Sequence, residues 1–277
     1  MRREMITSRQ NETVKLLASL SRKKAREELS LFRFDGKKLL SEALSKGVVP
    51  EYIFVSESRL GEAEGIISSA TDICEVTVLS DALFEKISEE KSPEGVITVA
   101  KALDKIHKIA TINNKGEFSC LPETHERVML LESIRDPGNL GTIIRTAASL
   151  GVDRLIISSD CADIYNPRTT RAAMGALFTE KIDTVESELF ADYISALRAE
   201  GRRVYAAALH REALTLGEFA VKASDCFVIG NEGHGLSEDV IASCDGCALI
   251  PISEGCESLN AAMAAGIFMW EISRSHE

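Results

Sequence analysis

No stretch of the 277-residue sequence approaches the roughly 18 consecutive apolar residues that a membrane helix needs. Met1-Arg-Arg-Glu-Met-Ile6 has no apolar signal core either, so a cytoplasmic protein is expected. The seven cysteines are an odd count, scattered without a disulfide framework. Cys244 and Cys247 form the only C-x-x-C, and no second Cys/His pair stands at zinc spacing; the expectation is reduced thiols and no metal. Neither His107 nor His125 sits in a motif. Basic residues are outnumbered 32 to 43, and the net charge of −11 argues against non-specific nucleic-acid binding by the chain as a whole.

What is present is a soluble globular composition, 45% hydrophobic and 27% charged, long enough for two domains. The charge is uneven. Through Arg26 there are eight basic residues (Arg2, Arg3, Arg9, Lys15, Arg22, Lys23, Lys24 and Arg26) against two acidic ones, a balance of +6 that leaves −17 on the rest. A basic end on an acidic body suggests a localised polyanion contact, although a solvated helix face gives the same pattern.

Residues 12–29 read as one amphipathic helix, with Val14, Leu17, Leu20 and Ala25 inward and Arg22-Lys-Lys-Ala-Arg26 outward. Strands at 32–34, 52–55, 74–79 and 95–100 then alternate with helices at 37–46, 62–69 and 81–87. This is a small α/β domain over residues 1–100. Residues 101–126 have little periodicity and read as a linker, with room for one short helix. A second α/β unit occupies 127–277. Its strands fall at 127–132, 153–158, 203–208, 226–229 and 247–252, and its helices at 139–150, 168–178 and 186–200. The strands are apolar nearly throughout, which indicates a parallel sheet covered on both faces. Ligands of such sheets collect at the carboxyl ends of the strands.

Three loops occupy those ends. In Asp136-Pro-Gly-Asn-Leu-Gly-Thr-Ile-Ile-Arg145, Pro137-Gly138 makes a turn, Asn139 is a candidate cap, and Arg145 brings a five-donor fork suited to a phosphate or ribose oxygen. In Gly230-Asn-Glu-Gly-His-Gly235 the spacing is G-x-x-G-x-G and lies late in the chain, which disfavours a nicotinamide dinucleotide site. Glu232 either orients a substrate or is simply exposed. His234 is a tempting base, but a loop histidine among glycines is more often only solvated. The third loop, Ile250-Pro-Ile-Ser-Glu-Gly-Cys-Glu-Ser-Leu-Asn260, leads into a helix of small residues with Ser258 and Asn260 in its first turn. A helix start favours an electron-rich ligand atom, and an ordinary buried helix with a serine cap looks the same.

Taken together, the three loops resemble the motifs of the SpoU (TrmH-type) branch of the SPOUT RNA 2′-O-ribose methyltransferases. These motifs are Asn139-Leu-Gly-Thr-Ile-Ile-Arg145, Ile229-Gly-Asn-Glu-Gly-His-Gly-Leu236 and Ile250-Pro-Ile…Glu257-Ser-Leu-Asn260. The segment from Ile6 to Lys15 is similar to the start of the ribosomal-protein-like RNA-binding domain often found ahead of that catalytic domain. Ser253 stands where the family usually has methionine and Ala261 where it has valine, which bears on the shape of the pocket more than on reactivity.

The resemblance implies a parallel SPOUT sheet with a deep C-terminal trefoil knot, a topology that sequence rules alone disfavour. It implies S-adenosylmethionine held in the knot by groups near Leu209, Gly230, Ile250 and Leu259, and a homodimer with its active site at the dimer interface. It implies methyl transfer to a ribose 2′-hydroxyl, most often of ribosomal RNA, with transfer RNA as the alternative, and without a metal. Arg145 is placed on the 2′-hydroxyl. Because a guanidinium stays protonated, stabilising the forming alkoxide or holding the adjacent phosphate suits it better than acting as the base. Asn139 would orient Arg145 or the ribose, Glu232 would steady its loop, and Ser258 and Asn260 would supply hydrogen bonds. Arg9, Lys15, Arg22, Lys23, Lys24 and Arg26 are the candidate phosphate contacts. A catalytically silent RNA-binding protein and a nucleotide-dependent oxidoreductase are the rival readings; intact Asn139, Arg145, Glu232, Ser258 and Asn260 disfavour the first and the glycine spacing the second.

Overall fold

The computed structural model describes residues 5–68, 74–104, 106–210, 212–253, 255 and 258–275. The chain divides into two compact units, one made of Met1–Leu103 and Asp163–Phe178, the other of Asp104–Ala162 and Thr179–Glu277.

In chain order the first hundred residues form β1 (Met5–Ile6), α1 (Glu12–Ser19), α2 (Lys23–Leu29), β2 (Leu31–Asp35), α3 (Lys37–Ser45), β3 (Pro50–Ser56), α4 (Leu60–Ser68), β4 (Glu75–Leu79), α5 (Asp81–Ile87) and β5 (Val96–Lys101). The expected helix over 12–29 is two helices. Asn11 caps α1 by accepting from the Thr13 and Val14 amides, and Ser19 turns its hydroxyl back onto the Leu16 carbonyl, a local bond that competes with helix continuation. The break exposes the Leu20 carbonyl, and Arg26 Nη1 donates to it at 2.6 Å. Arg26 therefore points inward. The strands pair in the order β1-β4-β3-β5-β2, parallel across β1, β4 and β3 and antiparallel through β5 to β2. One face packs Val14, Leu17, Leu83 and Phe84 against Phe54, Ile97 and Val99. On β2, Phe32 stacks at 4.5 Å on Tyr165 and Phe34 meets Phe178 at 5.2 Å.

The second unit is a single eight-stranded sheet, ordered β11-β13-β10-β12-β7-β8-β9-β6 and parallel throughout. Its elements in chain order are β6 (His107–Ala110), β7 (Val128–Leu131), α6 (Pro137–Leu150) and β8 (Arg154–Ser158). After the short helix α7 (Pro167–Ala173), which belongs to the first unit, come β9 (Lys181–Val185), α8 (Phe190–Ala199), β10 (Val204–Ala207), β11 (Leu214–Thr215), β12 (Cys226–Ile229), α9 (Glu238–Ser243), β13 (Gly246–Leu249) and α10 (Ala261–Arg274). Strands β7 and β12 are buried at every position, as continuous apolar runs in a parallel sheet require. Alternate side chains face opposite layers. Val128, Leu130, Val204 and Val228 meet Phe190, Ile194 and Leu197 of α8 and Val240 of α9. On the other face Phe227 stacks at 4.6 Å on Phe268 of α10, whose Met269 and Ile272 are also fully covered, each such residue contributing about 1.5–3 kcal/mol. At Gly266 a Cβ would stand at an ordinary contact distance of 3.6 Å from the Thr146 methyl, where α10 packs against α6.

Three strands of this sheet were not expected. Strand β6 lies in the stretch 101–126, β11 is only two residues long, and β9 is interrupted by charge. In β9 Asp183 is fully buried, compensated by Arg154 at 2.6 Å, and Arg154 also pairs with Glu126 at 3.0 Å. Glu180, beside this cluster, is only 5% exposed, and its Oε1 has no hydrogen-bond partner among the described residues. Burial, followed by repulsion from Asp153, raises its carboxyl to about 8 from the ordinary 4.5. Between those values the folded chain holds a proton that the unfolded chain has released, so stability falls as pH rises through this window. Glu180→Gln removes the penalty: its stability should match wild type near the bottom of the window and exceed it increasingly toward about pH 8, by at most on the order of 5 kcal/mol, read as a rising difference in melting temperature.

Candidate active site

Three loops leave the carboxyl ends of β7, β12 and β13. Pro137 opens α6, and Asp136 is its cap, accepting from the Asn139 amide at 2.9 Å. The expectation that Asn139 caps this helix is therefore corrected, since a proline at the first helical position moves the cap one residue before it. Freed from capping, the Asn139 carboxamide faces the other loops. It donates to Glu232 Oε1 at 2.8 Å and accepts from Asn260 Nδ2 at 3.0 Å.

Asn260 has a second function at the start of α10. Its Oδ1 accepts from the Ala262 and Met263 amides, making it the helix cap. The expected strand to Ile252 ends at Leu249, and Ser258 lies ahead of the helix rather than in its first turn. Glu254, Cys256 and Glu257 lie outside the described residues.

The middle loop is closed by two backbone hydrogen bonds, Asn231 to Gly235 in both directions at 3.0 Å. A Cβ on Gly230 would fall 2.5 Å from the Gly235 carbonyl carbon, so no other residue fits there. Asn231 fills the loop with its own side chain, accepting from the Gly233 amide at 2.8 Å and the His234 amide at 3.2 Å, and donating to the Ser133 carbonyl at 2.8 Å. Ser133 is left-handed at φ 54°, held by the Ser158 hydroxyl on its amide and Asp160 on its own hydroxyl. Glu132 accepts from both the amide and the hydroxyl of Ser237, at 2.9 and 2.6 Å. None of Glu132, Ser133, Asn231 or Ser237 was anticipated. An asparagine just after a strand-ending glycine is a turn-former that could have signalled Asn231.

Beside these loops lies a cavity of about 400 Å³. Leu209, Gly230, Ile250 and Leu259, the four expected cofactor positions, all line it, as does Ser258. Ile229, Leu249 and Phe268 are among its apolar lining, and Asn231, Glu232, His234 and Ser258 are among its polar lining. An apolar pocket with a few convergent polar groups fits an adenosine-sized ligand carrying an amino-acid tail. Ala261 is among the lining residues and Ser253, which is exposed, is not. Arg145 is exposed on α6, and its guanidinium makes no hydrogen bond or ion pair among the described residues. It is a free cation available to an incoming anion.

The basic positions of the first unit separate into three groups. Arg9, Lys15 and Arg22 line one groove of about 420 Å³, floored by Val14 and Ile87. Lys23 and Lys24 are exposed on α2, each 3.7 Å from a glutamate one turn on. Arg26 is only 5% exposed and committed to the Leu20 carbonyl and to Asp163. Its expected outward, phosphate-binding orientation is corrected: the helix break makes it structural.

Comparison with known proteins gives concordant results. The model of the SpoU rRNA Methylase family matches residues 126–270, and that of the MRM3-like substrate binding domain matches residues 11–98. The chain is 32% identical to the 23S rRNA (guanosine(2553)-2′-O)-methyltransferase RlmP of Bacillus subtilis, over 97% of this chain and 99% of that one. It is 28% identical to the human mitochondrial rRNA methyltransferase 3, over 90% and 69%. The crystal structure of an AdoMet-bound rRNA methyltransferase from Sinorhizobium meliloti superposes with a TM-score of 0.77 at 28% identity, over 98% and 97%.

Gly230→Ala should fold, because the strain is confined to an exposed loop, and should lose at least about tenfold in affinity for S-adenosylmethionine by calorimetry. Unchanged affinity would show that the 230–235 loop does not shape the cavity.

Proposed function

The chain belongs to the SpoU rRNA methylase family, and on that premise we propose that it methylates a ribose 2′-hydroxyl of ribosomal RNA. The observation that carries the reading is Asn139, hydrogen-bonded at once to Glu232 and Asn260, which brings the three loops to one rim of the sheet beside the cavity. Support for the substrate comes from the relatives, whose names make one a 23S rRNA methyltransferase and the other a mitochondrial rRNA methyltransferase.

S-adenosylmethionine, when bound, supplies an electrophilic methyl on a leaving group that departs as a neutral thioether, so the chemistry calls for no metal. The backbone at Gly230, Ile250 and Leu259 and the side chain of Leu209 would hold it. What remains for the protein is to orient the ribose and manage one negative charge. Arg145 is exposed and uncompensated, and stabilises the oxygen as it becomes anionic or holds the neighbouring phosphate. It does not take the hydroxyl proton, since its own stays bound; that proton leaves through a phosphate oxygen of the RNA or through water. Asn139 fixes the direction of Glu232 and Asn260 rather than capping, and Ser258 offers a hydroxyl at the cavity edge.

Substrate RNA is assigned to the first unit and chemistry to the second; the stretch 101–126, expected as a linker, instead supplies β6 to the second sheet, and the helix expected at 168–178 in the second unit falls in the first. Arg9, Lys15 and Arg22 are the strongest phosphate contacts because one groove gathers them, with Lys23 and Lys24 beside it in sequence. The acidic remainder keeps other surfaces off RNA. We also propose a homodimer: Met263 and Trp270, two turns apart on α10, are 62% and 55% exposed, an apolar stripe that a second copy would cover. The C-terminal knot fits the strand order, in which β13 enters between β10 and β11, two strands that precede it in the chain.

Arg145→Ala should lower kcat by at least about a hundredfold in transfer of labelled methyl to ribosomal RNA, while calorimetric affinity for S-adenosylmethionine stays within about twofold. A variant that turns over normally would remove Arg145 from the reaction.

A further inference from the structure

The loop over residues 230–236 lines the cavity, and besides the Asn139–Glu232 hydrogen bond it is held from outside at its two ends. Three of its tethers run to the end of β7. The Glu132 amide donates to the Ile229 carbonyl at 2.8 Å, continuing the ladder one step beyond β7. The Glu132 carboxylate receives two donors from Ser237, the residue that also caps α9 by accepting from Val240. The Ser133 carbonyl accepts from the Asn231 side chain, which in turn gathers two amides inside the loop.

The β7 end is itself unusually constrained. Ser133 holds a left-handed conformation that costs a non-glycine residue about 1 kcal/mol, and it is fixed by hydrogen bonds at its amide, hydroxyl and carbonyl. Strain kept in place by three bonds turns that carbonyl toward Asn231. A relaxed extended serine would present it elsewhere.

We propose that Glu132 is a positioning residue for the methyl donor: with Ser133 it clamps both ends of the 230–236 loop, Asn231 at its start and Ser237 at its finish. The role rests on the reading of the cavity as the S-adenosylmethionine site. Glu132 touches neither cofactor nor RNA. It acts through the loop backbone, and a carboxylate suits the role because one oxygen takes the Ser237 amide and the other the Ser237 hydroxyl.

The test compares wild type with Glu132→Ala, Glu132→Gln, Ser237→Ala and the double variant Glu132→Ala/Ser237→Ala. Calorimetry reads S-adenosylmethionine affinity, steady-state kinetics reads kcat and the KM for RNA, and amide exchange reads residues 230–236. Glu132→Ala should weaken cofactor affinity roughly tenfold, with a smaller fall in kcat at saturating cofactor and little change in the KM for RNA. Glu132→Gln keeps one acceptor and should fall between. The double variant should be no worse than Glu132→Ala, since both side chains belong to one clamp. Wild-type cofactor affinity in Glu132→Ala, a uniform loss across all three parameters, or additive losses in the double variant would overturn the proposal. If wild type itself fails to bind S-adenosylmethionine, the cofactor reading falls, and the clamp is decided by amide exchange: unchanged protection of 230–236 in Glu132→Ala overturns it, faster exchange sustains it.

Discussion

Two hydrogen bonds at one carboxamide hold this site together. Asn139 lies 93 residues from Glu232 and 121 from Asn260 along the chain, yet it donates to one and accepts from the other. That geometry is available only because Asp136 and Pro137 start α6 and relieve Asn139 of capping. It also needs β7, β12 and β13 to run parallel, so that the loops leaving them emerge on one side. An antiparallel β13 would put Asn260 on the opposite rim.

The parallel sheet and the three loops were legible in the sequence because each rests on a local signal; the bounds of the two units were not, since 163–178 return to the first unit and 104–126 belong to the second. Uninterrupted apolar runs such as Val128–Leu131 and Cys226–Ile229 mark strands covered on both faces. What was not legible depends on partners distant in the chain. Strand β9 carries Asp183 where an apolar residue would announce a strand, and only Arg154, on the neighbouring strand, makes that burial tolerable. Arg26 looked like one more surface cation until the break at Leu20 gave it a carbonyl to satisfy. Among the site residues, Asn139, Glu232 and Asn260 were found through their loops. Glu132 and Ser237 were not, since a strand-ending glutamate and an exposed serine have no pattern of their own.

The two units divide the charge as they divide the proposed work. The groove of Arg9, Lys15 and Arg22 lies in the first unit, and Arg145, exposed on α6 with no partner for its guanidinium among the described residues, lies in the second. On a chain of net charge −11, these are the cations that the proposed function assigns to the polyanion and to the developing negative charge. Other positive side chains are spent internally, as in the Glu126–Arg154–Asp183 network.

The most direct measurement is a double-mutant cycle between Asn139→Ala and Asn260→Ala on kcat/KM for RNA methylation. If one carboxamide joins the loops, either substitution breaks the junction, and the double variant should be about as impaired as the worse single one. Losses that simply add would mean the two asparagines act independently, and the convergence on which the proposed activity depends would not be functional.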